Sequence, residues 1–174
     1  MNYFQYYDIP ETLHLDLKLL RDLYYQKSRE LHPDLQKQQN TSTDELQEKA
    51  AQNNQAYKTL SDPLLRLKHA LELNIGALQE NQQSLPADFL MQMMDLHEKI
   101  SEAIHVENIQ TRENLQNEIE EIQNKIHIIA KPFINSFDQN DRSSSLFEGL
   151  LDYYYKLKYI RRLHQNLNRE EFEL

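Results

Sequence analysis

Apolar residues recur at steps of three and four over most of this chain of 174 residues. That spacing places them on one face of an α-helix, and we find no run of β-branched residues with the period-two alternation of a strand. Glycine, which interrupts helices, occurs twice, and long runs are rich in Leu, Gln, Glu and Asn. The sequence therefore predicts an all-α protein.

The N-terminal part is predicted to be a helical hairpin followed by a short helix. An aromatic segment at residues 2–8 precedes the first hairpin helix, whose apolar face is Leu13, Leu17, Leu20, Tyr24 and Leu31. Pro33 disfavours helical geometry at His32 and ends this helix. The second helix runs from about residue 43 to 60, with the face Leu46, Ala50, Asn53, Tyr57 and Leu60. The segment Ser61-Asp62-Pro63 then supplies an N-cap candidate and a first-turn proline for the short third helix.

Residues 86–174 are predicted to form an antiparallel three-helix bundle, because three amphipathic segments are joined by short connections. Residues 76–85, which are mostly polar, form the linker between residues 1–75 and this bundle. Pro132 is expected to kink or end the middle helix. The three predicted core faces are Phe89, Met93, Leu96, Ile100 and Ile104; then Leu115, Ile119, Ile122, Ile126, Ile129 and Phe133; then Leu146, Leu150, Tyr153, Leu157, Ile160 and Leu167.

Composition excludes several classes of function. Without cysteine the chain has no disulfide, thiolate metal site or cysteine nucleophile. Neither a membrane span nor a signal peptide is evident, which predicts a cytoplasmic protein. Residues 86–122 hold nine acidic side chains against Lys99 and Arg112, a net charge of −7, so nucleic acid is a poor partner and a basic protein a better one. The histidines show no paired metal-ligand spacing, and we expect no metal, no cofactor and no catalytic residue.

One tripeptide, His32-Pro33-Asp34, lies in the turn of the predicted hairpin. Proline removes a backbone donor and fixes its own φ, so the flanking side chains are held on a stiff tip. His32 and Asp34 then offer a donor and a charged acceptor to a partner. The alternative is that Asp34 caps amides of the turn. Together with Asn54-x-Ala56-Tyr57-x-x-Leu60-Ser61-Asp62-Pro63-x-x-Arg66, the tripeptide resembles the J-domain over residues 1–75.

This resemblance implies that His32, Pro33 and Asp34 dock on a DnaK-type ATPase, where Asp34 would meet an arginine and release a brake on ATP hydrolysis. Basic side chains of the preceding helix usually steer that encounter, and the candidates here are Arg21, Lys27 and Arg29. The chain departs from the pattern at Leu35, where a basic residue often stands, which favours a specialised ATPase partner.

Nearly the whole chain resembles HscB proteins, at Tyr3-Phe4 near the start, at Leu64-x-Arg66 and at Asp88-Phe89-Leu90-Met91, which opens the bundle. Met91, Asp95, Glu98 and Glu102 lie on the helix face opposite the core stripe, and Leu90 and Met94 lie between. The resemblance implies that the bundle binds the iron–sulfur scaffold protein IscU through Leu90, Met91, Met94, Asp95, Glu98, Glu102 and Tyr159, with Asp95 in place of a usual Glu and Tyr159 of a usual Phe. The zinc-binding cysteines of some mitochondrial relatives are absent, which favours a bacterial origin.

The sequence thus predicts a co-chaperone that delivers an IscU-like scaffold to a DnaK/HscA-type ATPase and stimulates ATP hydrolysis, aiding cluster maturation and transfer. An enzyme would need acid and base residues that converge in a pocket, and the acidic helix offers a row facing solvent. The open alternative is a generic J-protein, whose bundle dimerises or binds another client. In that case the apolar residues outside the core stripe are ordinary scattered surface residues.

Overall fold

The computed structural model describes residues 1–31, 43–78, 85–104 and 109–168. Within these ranges the regular structure is helical with no strand, which confirms the all-α fold class. The described residues form two compact units, one within Met1–Ala77 together with Phe137–Asn140 and one within Leu78–Ser136 together with Asp141–Leu174. The helices are α1 (Tyr3–Tyr6), α2 (Leu17–Glu30), α3 (Thr43–Ser61), α4 (Pro63–Ile75), α5 (Ala87–Ile104), α6 (Ile109–Asp138) and α7 (Ser144–Leu167).

Helix α2 begins four residues later than its apolar spacing predicts. The side chain of Asp16 accepts hydrogen bonds from the amides of Lys18 and Leu19, so the first helical residue is Leu17. Leu13 is therefore outside the helix, although it is buried, and Leu17 is half exposed instead of facing the core. Spacing alone did not locate the helix start, because a buried loop residue can fall in register with a helical stripe.

In the first unit α3 packs against α1, α2 and α4. Asn53 of α3 is fully buried in the apolar interior of this unit, where it is the centre of a network of hydrogen bonds. Its side-chain oxygen accepts a 2.8 Å hydrogen bond from the Tyr7 hydroxyl, and its amide donates to the Tyr24 carbonyl at 3.2 Å and the Ser28 hydroxyl at 3.0 Å. Burial raises the pKa of Tyr7, which keeps its hydroxyl protonated as a donor. The network thus joins α3 to α2 and to the end of α1.

Replacing Asn53 with Ala is expected to destabilise the first unit by about 1–3 kcal/mol, because buried partners are left without a hydrogen bond. The adjacent Asn54 is a matched control. It is exposed and bonds the Tyr24 hydroxyl at 2.9 Å, a bond that water can replace. Both changes bring the same gain in helix propensity. Hydrogen exchange of the α2 and α3 amides measures the difference, and equal protection in the two variants would contradict this role for Asn53.

A histidine anchors the N-terminal aromatic segment of the first unit. The Nε2 atom of His69 on α4 accepts a 3.1 Å hydrogen bond from the Tyr3 amide, and its ring stacks on Tyr3 with centroids 4.6 Å apart. Burial lowers the pKa of His69, and the nearby carboxylates of Glu72 and Glu11 oppose that shift. An imidazole nitrogen accepts only when it is unprotonated, so the contact requires the neutral ring.

We expect this contact to make the first unit less stable in mild acid. A lowered folded pKa means that the unfolded chain binds the proton more readily. The contribution is therefore complete above the unfolded histidine pKa of about 6.5 and is lost as pH falls from there through the folded pKa. Melting temperatures between pH 7.5 and 5.5 measure the effect. In His69→Gln, which can accept the same amide bond without titrating, the decline should be smaller, and an identical pH profile would contradict the assignment.

The second unit is built from α5, α6 and α7 around a common apolar core. The predicted core stripe of α5 is buried at all four positions whose side chains are described, Phe89, Met93, Leu96 and Ile100. From the other two helices the core takes Leu115, Ile119, Ile122, Ile126, Ile160, Leu163 and Leu167.

Two expectations for α6 are wrong in part. The helix continues through Pro132 to Asp138, so the proline does not end it. Ile129 was expected in the core, yet 66% of it is exposed, and Ala130 and Ile134 are buried in its place. A strict four-three alternation drifts relative to a helix of 3.6 residues per turn. Beyond Ile126 the buried positions are Ala130, Ile134 and Phe137, and Ile129 falls outside them.

Candidate partner-binding surfaces

The predicted ATPase-docking tripeptide His32, Pro33 and Asp34 lies outside the described residues. It follows α2 directly in the sequence, since α2 ends at Glu30 and Leu31 is its C-cap. Helix α2 with its C-cap is therefore the described part of the chain that precedes the tripeptide most closely in the sequence. This helix holds four basic and two acidic side chains, a net charge of +2 in a chain of net charge −9.

The structure separates the three basic residues that the sequence grouped on α2. Arg21 and Arg29 are exposed, whereas Lys27 is half buried and places its ammonium 4.6 Å from the ring centroid of Tyr6. Lys27 thus makes a cation–π contact within its own unit. Tyr25 was missed by the sequence reasoning, although it lies four residues from each arginine and is exposed. The spacing of four residues from Arg21 to Tyr25 and from Tyr25 to Arg29 places all three on one helix face, and this signal could have identified Tyr25 from the sequence. We call Arg21, Tyr25 and Arg29 the α2 surface.

On the second unit, α5 presents an apolar pair beside a row of carboxylates. Met91 is 67% exposed and Met94 is 71% exposed. Asp95, Glu98 and Glu102 are also exposed, and all belong to the same helix. Buried Phe89, Met93 and Leu96 define the face of α5 that packs in the core. The five exposed side chains lie on its other faces and are directed away from the core. We call Met91, Met94, Asp95, Glu98 and Glu102 the α5 surface.

The two other predicted members of this site, Leu90 and Tyr159, differ from the exposed methionines. Leu90 is only partly exposed and packs against the bundle core. It borders the core stripe that begins at Phe89, a position between that stripe and the exposed face of α5. Tyr159 of α7 is 41% exposed, and its ring meets Phe89 edge-on with centroids 6.2 Å apart. The structure thus brings Tyr159 beside the N-terminal part of α5.

The described part of the chain holds no group of three His, Asp or Glu side chains arranged to bind a metal ion. Nor does any helix in the described ranges combine the length and apolarity that a membrane span requires. The surfaces just described are instead exposed mixtures of apolar and charged side chains. Exposed patches of this kind are typical of proteins that act by binding other proteins.

Comparison with known proteins agrees with this class. The family model described as "HSCB C-terminal oligomerisation domain" matches residues 85–168. A co-chaperone protein HscB homolog of Haemophilus influenzae is 30% identical over 99% of this chain and 98% of its own length. Another, from Shewanella amazonensis, is 28% identical over 98% of this chain and 97% of its own length.

Solved structures agree as well. Chaperone HscB from Vibrio cholerae superposes with a TM-score of 0.65 at 26% identity and covers 98% of each chain. Human co-chaperone protein HscB has the same fold, with a TM-score of 0.80 at 23% identity over 100% of this chain and 84% of its own. The protein is a helical co-chaperone and not itself an enzyme. It belongs to the HscB family.

Proposed function

We propose that the protein binds an IscU-type iron–sulfur scaffold, delivers it to a DnaK/HscA-type ATPase and stimulates ATP hydrolysis, which aids cluster maturation and transfer. Residues 1–75 act as the J-domain, residues 76–85 as a linker and residues 86–174 as the scaffold-binding bundle. The proposed compartment is the bacterial cytoplasm. Neither nucleic acid nor membrane is a partner in this scheme.

The observation that carries the proposal is the exposed pair Met91 and Met94 beside the carboxylates of Asp95, Glu98 and Glu102. Apolar anchors with a charged margin are typical of protein interfaces. The α2 surface has the opposite sign of charge, because α2 is net positive whereas α5 holds four acidic side chains and one basic one. Two surfaces of opposite charge favour two different partners, an acidic one on α2 and a basic one on α5.

Steady-state ATP turnover by the organism's DnaK/HscA-type protein tests the proposal, with this protein and the scaffold added singly and together. We expect modest stimulation by this protein alone and a further increase when the scaffold is present. A generic J-protein, whose bundle dimerises or binds another client, would stimulate the ATPase without any effect of the scaffold.

A further inference from the structure

A groove of about 580 Å³ on the second unit adjoins the α5 surface. Its apolar lining combines two exposed side chains, Met91 of α5 and Ile129 of α6, with the core residues Phe89, Ile122 and Ile126. The groove is therefore a depression in which the bundle core reaches the surface. Single exposed apolar residues are common on proteins, but here two exposed and three buried apolar side chains line one concave site.

Ile129 and its neighbour Ile128 provide an internal comparison. The two have nearly equal exposure, 66% for Ile129 and 69% for Ile128, yet Ile129 lines the groove and Ile128 does not. Met91 belongs both to the groove and to the α5 surface. Ile129 thus extends that apolar surface from α5 onto α6.

We propose that this groove is a second part of the client-binding surface and that it receives an aliphatic side chain of the scaffold, next to a basic residue. The inference rests on the proposed function, because the scaffold is the client of the α5 surface. It assigns Ile129, which has no role in the α5 site predicted from the sequence, as an anchor on α6.

The charges at the groove indicate a basic neighbour on the client. Asp88 and Asp95 line it on α5, and Lys125 and Lys156 also line it. The ammonium of Lys156 bonds the carboxylate of Asp152 at 2.7 Å, so its charge is largely neutralised within α7. Asp88 and Asp95 then outnumber Lys125 among the charges that line the groove, so the site has a net negative charge. A basic residue complements it, whereas a second acidic bundle of this chain would be repelled.

The test compares Ile129→Ala with Ile128→Ala in the full-length protein. Calorimetry with the purified IscU-type scaffold should show about fivefold weaker binding for Ile129→Ala, as for loss of one apolar anchor. Ile128→Ala should bind as wild type does. Both side chains are largely exposed and alanine favours helix, so neither change should lower the melting temperature. Ile129→Leu retains the aliphatic volume and should retain the affinity.

Three outcomes would overturn the inference while leaving the proposed function intact. They are unchanged affinity for Ile129→Ala, equal losses in both alanine variants, and equal losses in Ile129→Ala and Ile129→Leu. Sedimentation of the protein alone measures self-association and so tests whether a second copy of this chain occupies the groove. Self-association that Ile129→Ala abolishes would assign the groove to a second copy. Failure of the wild-type protein to bind the scaffold is a separate result, which would reject the proposed function together with the inference.

Discussion

Replacing Asp34 with Asn is expected to abolish stimulation of the partner ATPase while scaffold affinity and melting temperature stay at wild-type values. Asparagine preserves the size of the side chain but removes its negative charge, and with it a charge-assisted hydrogen bond to an arginine of the ATPase. His32→Gln should act in the same direction. The measurements are ATP turnover by the DnaK/HscA-type protein and thermal denaturation followed by circular dichroism.

Asp8→Asn is a matched control in the same unit. Asp8 is exposed with φ near 55°, a backbone conformation that asparagine also tolerates. The change removes one negative charge outside the tripeptide, and stimulation should remain that of wild type. A clear fall in melting temperature for Asp34→Asn would instead favour the alternative that its carboxylate caps amides of the turn. Loss of stimulation in Asp8→Asn would assign the effect to overall charge.

The double variant Met91→Ala and Met94→Ala is expected to weaken scaffold binding by about thirtyfold. This figure assumes ~1 kcal/mol for each anchor, with tenfold in affinity for every 1.4 kcal/mol. Both side chains are more than two-thirds exposed, so the bundle should remain folded. Stimulation of the ATPase by the co-chaperone alone should persist, because it depends on the other unit.

Ile128→Ala again serves as the control, since it removes an equally exposed apolar side chain from the same unit. Leu90 is better left intact in this experiment, because it packs against the core and its truncation would affect folding as well as binding. Wild-type affinity in the double variant would reject the α5 surface as the client site. The protein would then remain a co-chaperone whose client binds elsewhere.

The fold was predictable where a local signal marked it. The segment Ser61-Asp62-Pro63 predicted the start of α4, and the structure shows that Asp62 caps it by accepting hydrogen bonds from the amides of Leu64 and Leu65. The start of α2 was misplaced because Asp16, its cap, stands among leucines that continue the helical spacing on both sides. The start of a helix is therefore fixed by its cap together with packing, and apolar spacing alone does not locate it.

The candidate sites were predictable to different degrees. Met91 and Met94 were assigned to the surface because the core stripe of α5 has one unambiguous phase, and both are exposed. Lys27 was grouped with Arg21 and Arg29 by charge alone, and its contact with Tyr6 depends on a segment distant in sequence. Whether any of these residues binds a partner remains a prediction.

The sequence by itself determined the all-α class, the core stripe of α5 and the resemblance to HscB, because these depend on periodicity and short motifs. The tertiary structure alone decided which of two adjacent isoleucines, Ile128 and Ile129, lines the groove with Met91. Both lie outside the core of α6, so their distinction depends on where α5 packs. Periodicity describes one helix at a time, whereas a groove is formed by side chains that the fold brings together from several helices.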